Sequence, residues 1–301
     1  MNGIIALYKQ RGMTSFDCIS KLRKILHTKR IGHTGTLDPN VDGVLPVCVG
    51  SATKISELLM QSGKVYRGTI TIGEAYDTQD LEGKRTAKVI LKDPVDDRAI
   101  NASLAKFTGK IMQMPPMYSA VKVNGKRLYE YARQGITIKR KARPIEVKYF
   151  KQIKPSTFNK EEGTQEVYFE VACSKGTYVR TLAFDFGKSL GYPSVMTDLT
   201  RVQSGGFSIS QTKTLAEIQE LFEQGKTQQF LEPLSEALKK YPIVSLTKDQ
   251  WQIVLNGGFF DPRELATSEK LIQLQYQGQT RALYQLDNRY NKYRPFKMFL
   301  N

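Results

Sequence analysis

Apolar and polar positions change period repeatedly along this chain, and each change marks an expected element. Residues 3–8 form an apolar run of strand length, closed by the turn Gly12-Met13-Thr14-Ser15. Helical spacing follows, predicting a helix over 16–26 capped by Ser15. The pattern then predicts a helix over 53–61, an alternating strand over 65–73 and a helix over 97–107 ending near Gly109. Strands are expected over 145–154 and 166–173, followed by a helix over 178–190 that Gly191 stops. Further on come an amphipathic helix over 214–222, a polar linker over 223–229, a short helix over 248–255, a Gly257-Gly258 turn and short strands near 271–276 and 282–286. Helices scattered among separated strands predict a mixed α+β fold without internal repeats.

One loop stands out between the first helix and the next apolar run. It reads Gly35-Thr36-Leu37-Asp38-Pro39-Asn40-Val41-Asp42-Gly43-Val44-Leu45, with a buried strand and a turn at Gly50 expected after it. Pro39 restricts Asp38 to extended backbone, which keeps its side chain from capping a helix that starts at its own position. A loop carboxylate on a rigid scaffold is a natural catalytic group, and a turn aspartate is an equal reading on chemistry alone. Asp42, four residues on, is read as structural, because nothing else in the chain supports a paired-carboxylate glycosidase. Asp77, Asp80 and Glu82 lack the glycine and terminal glutamate of a calcium loop, so a solvated turn is expected there.

Composition adds a partner class. The 301 residues carry 45 Lys plus Arg against 29 Asp plus Glu, a net charge of +16. Between positions 120 and 154 eleven basic residues face two acidic ones, +9 in one segment. Such clustering gains affinity for a phosphate backbone through counterion release, and Tyr118, Tyr129 and Tyr131 are interleaved with it for base stacking. A solvated charged face or an acidic membrane surface would show the same charge. The apolar runs are broken well before membrane-spanning length and the N-terminus lacks a signal pattern, so residence in the cytoplasm is expected. Cys18, Cys48 and Cys173 are read as reduced core residues, and with only His27 and His33 present a histidine-rich metal site or a conventional triad is not indicated.

Four ordered segments resemble the TruB family of tRNA pseudouridine synthases. They are residues 32–50 around Asp38; Lys64-Val65-Tyr66-Arg67 on to Gly73 and Asp80-Leu81-Glu82-Gly83; Pro115-Pro116-Met117-Tyr118-Ser119-Ala120 on to Gly135; and residues 173–205. Asn40-Val41-Asp42 departs from the small uncharged residues of many relatives and adds a second negative charge near Asp38. The resemblance implies the pseudouridine synthase fold, a mixed and largely antiparallel sheet flanked by helices, with a small C-terminal PUA-like β domain. A catalytic domain over 1–236 and an RNA-binding domain over 240–301 are expected. It further implies that Asp38 is the catalytic carboxylate, that Arg180 pairs with it, and that Tyr66 stacks on the flipped base and relays the proton leaving C5. His33 then helps fill the space the base vacates, and Tyr178 and Leu199 line the uracil pocket. Lys64, Lys122, Arg127, Arg133, Lys139, Arg140 and Lys141 are expected on the RNA.

The implied reaction breaks the N1 glycosidic bond of the T-loop uridine, conventionally position 55 of tRNA, turns the uracil and joins C5 to C1′. Attack by the carboxylate on sugar or base and a route through a glycal both remain open. No redox change or phosphoryl transfer occurs, so neither cofactor nor metal is expected; a monomer without an obligatory protein partner is. Two alternatives stand beside this reading: a guide-dependent synthase of the box H/ACA type, and an RNA-binding protein whose main task is tRNA folding.

Overall fold

A computed structural model describes residues 1–300. Their contacts gather into two compact units, one of Met1–Asn40, Val44–Met60 and the chain from Gly205 onward, the other of Val41–Gly43 and Gln61–Ser204. In the first unit, strand β1 (Gly3–Lys9) lies beside β3 (Asp42–Val49), and β2 (Ile31–His33) pairs antiparallel with β3, His33 opposite Val47. The first helix, Ser15–Ile25, is capped by Thr14 and not by Ser15 as expected. Thr14 Oγ1 accepts from Asp17 N at 3.0 Å and the Asp17 carboxylate accepts from Thr14 N at 2.9 Å, a reciprocal cap. The helix expected over 53–61 is a 3-10 turn, Gly50–Ile55, leading into a short α-helix, Ser56–Met60. Thr53 and Ser56 hydroxyls donate to Gly50 O and Thr53 O, which competes with the regular helical ladder.

The second unit is built on five antiparallel strands in the order β8-β4-β7-β6-β5: β4 (Lys64–Ile72), β5 (Gly109–Gln113), β6 (Arg143–Gln152), β7 (Thr164–Cys173) and β8 (Ser194–Ser204). Along β4 burial alternates as its sequence predicts, with Tyr66, Gly68 and Ile70 buried on one face. β8 is the longest strand and has no counterpart in the sequence pattern, because Asp198, Thr200 and Arg201 break its apolar period. Thr200 and Arg201 nevertheless pair in parallel with Asp42 and Gly43 at the start of β3. Gly43 sits at φ +108° where an added Cβ would stand 2.2 Å from Arg201 O, so only glycine permits that approach. The helix Val179–Leu190 lies on β8, with Ser194 Oγ donating to Ala183 O at 2.7 Å, and it ends at left-handed Gly191 as expected.

The first unit also holds a four-stranded sheet, in the order Ile243–Ser245, Leu271–Tyr276, Gln279–Asp287, Lys292–Met298. Its own core joins Val254, Phe260, Ile272, Leu274, Tyr284 and Tyr293. Leu283 and Phe299 pack elsewhere, with Ile4, Val44, Ile55, Leu234 and Leu238. Cys18, Cys48 and Cys173 are free and buried, and burial pushes the thiols up, Cys48 to about 12 and Cys173 to about 11. Among the described residues no helix is long and apolar enough to cross a membrane.

Candidate active site

The Asp38 loop is held by its neighbours. Ser15, 2% exposed and turned inward from its helix, accepts at Oγ from Leu37 N at 2.9 Å. On the other side Pro39 O accepts from Lys9 Nζ at 2.9 Å and from Gly12 N at 3.0 Å. Leu37 is buried while Asp38 is an exposed residue, and the backbone is fixed on both sides of it. Lys9 is fully buried within β1, and Ser15 and Lys9 are supports that the sequence reading missed. His33 is half-buried at the end of β2, its Nδ1 accepting from Gly35 N at 3.4 Å. Thr34, wholly buried, donates through N and Oγ1 to Pro46 O and closes the base of the loop. Asp42 Oδ1 accepts from Thr200 Oγ1 at 2.6 Å, which fastens the first residue of β3.

In the second unit Tyr66 is 8% exposed on β4, opposite Val171 on β7 and Arg201 on β8. Leu199 is buried opposite Gly68 on that same β4–β8 pair. Arg180, in the first turn of its helix, is 8% exposed and its guanidinium is fully oriented. Nη1 donates to Thr78 O and Asp80 Oδ2, and Nη2 donates to Tyr118 O, each at 3.0 Å. Asp80 is fixed in turn, its Oδ1 accepting from Thr78 Oγ1 at 2.6 Å and Glu82 N at 3.1 Å. The solvated turn expected around Asp80 is therefore a largely buried ion pair, because Arg180 arrives from a helix 100 residues away. The Pro115-Pro116-Met117-Tyr118 segment serves Arg180 through the Tyr118 carbonyl. Tyr178 is half-buried, with its backbone N–H and C=O both bonded to the side-chain amide of buried Gln113 on β5, at 2.8 and 3.0 Å.

The expected RNA-binding residues divide. Lys122, Arg127, Arg133, Lys139 and Lys141 are exposed, with Arg127 and Arg133 placed over the Tyr129 ring at 5.9 and 5.3 Å. Arg140 is half-buried and donates to Pro115 O at 2.9 Å. Lys64 is 9% exposed, its Nζ donating to Ser62 O at 3.1 Å. Burial, and then the positive charge of Arg201, lower the Lys64 ammonium to about 8.

The pinned aspartate loop and the clamped Arg180 fall in the first and last of the four ordered motifs, and residues 23–179 match the N-terminal domain of the TruB family pseudouridylate synthases. The chain belongs to the TruB family. Like the rest of that family it is an enzyme that isomerises uridine to pseudouridine. It is 51% identical over 298 residues to tRNA pseudouridine synthase B of Ligilactobacillus salivarius, covering 99% of both chains. It is 52% identical over 300 residues to the protein of the same name from Levilactobacillus brevis, again covering 99% of both. The TruB fold is shared with a solved H/ACA ribonucleoprotein bound to a substrate RNA containing 2′-deoxyuridine, at TM-score 0.73 and 23% identity, covering 99% of this chain and 85% of that one.

Proposed function

We propose that the protein is a tRNA pseudouridine synthase acting on the T-loop uridine at position 55, with Asp38 as its catalytic carboxylate. The observation that carries this reading is the Asp38 loop, whose backbone is fixed through Ser15, Lys9 and Gly12 on both sides of an exposed aspartate. In the reaction the base leaves the stack, at a cost of a few kcal/mol that is least in a hairpin loop. Asp38 attacks sugar or base, or takes a sugar proton on the way to a glycal. Arg180 pairs with Asp38 and orients its carboxylate. Tyr66 stacks on the flipped uracil, its phenol within the chemistry of a proton relay from C5. His33 fills the vacated space, and Tyr178 and Leu199 bound the base. The exposed cations of residues 122–141 hold the T-arm, and residues 240–301 are a second RNA-contacting domain beside a catalytic domain of residues 1–236. The protein works as a monomer in the cytoplasm on bare tRNA.

The guide-dependent alternative is not favoured. Relatives matching end to end at about 50% identity are named as tRNA enzymes, whereas the likeness to the H/ACA particle is one of fold. The deciding experiment is tritium release from C5-labelled uridine in an unmodified tRNA transcript, under metal chelation, comparing native protein with Asp38→Asn. Release by the native protein alone is expected, the variant falling on the order of ten-thousandfold or more; equal release by both removes Asp38 from the chemistry. The same variant tests tRNA folding, since Asp38→Asn protein that still binds tRNA and speeds its refolding would establish an activity separate from catalysis.

A further inference from the structure

The first unit holds a cavity of about 320 Å³ that none of the residues assigned above lines. Its polar wall includes Asn2, Ser51, Ser235, Gln279, Thr280 and Arg281, and no carboxylate side chain lines it among the described residues. The volume is at the small end for a ligand site.

Arg281 is the one charged side chain in this wall among the described residues. Its Nε is buried without an acceptor, and it forms no ion pair among the described residues. Its guanidinium lies 5.5 Å from the Trp251 ring centroid, and Trp251 stacks on Tyr276 at 5.2 Å with an 11° interplanar angle, so the cation is held in place by packing. Arg281 is half-buried, a buried Nε left without an acceptor is costly, and the fork of donors the guanidinium presents matches the oxygens of a phosphate.

The neutral donors around it are preorganised. Asn2 Oδ1 accepts from Ser51 N at 2.7 Å, which leaves the Asn2 amide NH₂ as a donor. The Ser51 and Ser235 hydroxyls have no partner among the described residues, whereas Thr280 is already committed to Gln273 Oε1 at 3.0 Å. One fixed cation, two unengaged hydroxyls and an amide donor, with no competing acid, form a site for a compact oxyanion.

We propose that this cavity binds phosphate, with Arg281 taking the anionic oxygens and Ser51, Ser235 and Asn2 supplying neutral hydrogen bonds. Two sources share this chemistry, a phosphodiester of bound RNA and free phosphate. The site goes beyond the catalytic reading, since an anion pocket stands whether or not tRNA is the substrate.

The test is calorimetric titration of the full-length protein with inorganic phosphate against chloride of equal ionic strength. The comparison is native protein, Arg281→Gln, and Ser235→Leu, which replaces a lining hydroxyl by apolar bulk and keeps the cation; melting curves establish that each variant is folded. A parallel series measures affinity for an unmodified tRNA transcript at several salt concentrations. Phosphate binding by the native protein, weakened at least tenfold in either folded variant, is the expected result. A tRNA salt slope that also falls by about one assigns the site to the RNA backbone, and an unchanged slope with lost phosphate binding assigns it to free anion. A fall in slope without measurable phosphate binding still supports an RNA phosphate. No phosphate binding together with an unchanged slope in the folded variants leaves only a water-filled cavity and overturns the proposal.

Discussion

Arg180 is oriented in part by Thr78 O, Tyr118 O and the Asp80 carboxylate, and of these three the carboxylate carries charge. Asp80→Asn keeps the shape but removes that charge, so the guanidinium gains freedom to move. A misplacement of about 1 Å can cost on the order of a hundredfold in rate. Single-turnover pseudouridine formation should therefore slow by about that factor while tRNA affinity stays near native; a native rate would show that Asp80 positions nothing. Lys64 makes a different prediction. The unfolded chain keeps its ammonium proton up to about 10.5 and the folded chain releases it near 8, so the unfolded state binds more protons across that window. Stability gained by neutralising Lys64 is thus absent below pH 8 and rises toward pH 10.5, by roughly 3 kcal/mol at most. Denaturant unfolding of native protein and Lys64→Met should diverge over that range in favour of the native protein, and parallel curves would refute the assignment.

At the scale of elements, the Asp38 loop is tied to the helix Ser15–Ile25 through one hydroxyl. Ser15→Ala leaves the buried Leu37 N–H without its acceptor, which costs about 1–3 kcal/mol. Thermal unfolding should register that loss, and kcat should fall more than tRNA affinity, because the loop that presents Asp38 is loosened while the basic residues are untouched. Loss of stability with kcat unchanged would make Ser15 a folding residue alone. The Thr14–Asp17 cap is the natural control, since Asp17 lies in the exposed first turn and touches no part of the loop. Its carboxyl is held below the usual range by its hydrogen bonds to Thr14, so the cap weakens only on acidification below the normal carboxylate range.

Across the whole molecule, positive charge is densest in residues 120–154, where eleven basic residues stand against two acidic ones. Of the basic segment's members, Lys139 and Lys141 are exposed, whereas Arg140 between them is bonded to Pro115 O. Lys139→Ala with Lys141→Ala should weaken tRNA binding and lower the salt slope by about one for each phosphate that is no longer neutralised, with little change in stability. Arg140→Ala should differ by lowering the melting temperature as well. Affinity unchanged at every salt concentration in the double variant would move the RNA surface elsewhere.

What the sequence determined by itself is what short-range physics encodes. Period two along β4 and period 3.6 up to Gly191 act over a few residues, and both are realised in the structure. The ordered motifs carried the family as well, since chemistry-bearing residue types at fixed spacing need no coordinates to be seen. Tertiary structure alone decided which polar residues meet. Ser15 reaches Leu37 across 22 positions and Arg180 reaches Asp80 across 100, and no local period distinguishes such partners from solvated side chains. β8 was hidden for the same reason: fully buried Arg201 interrupts the apolar pattern by which a central strand is recognised, and its place is fixed by pairing with β4 and with the first residues of β3. A buried polar group is stable only with its partner in place, and that partner is supplied by the fold.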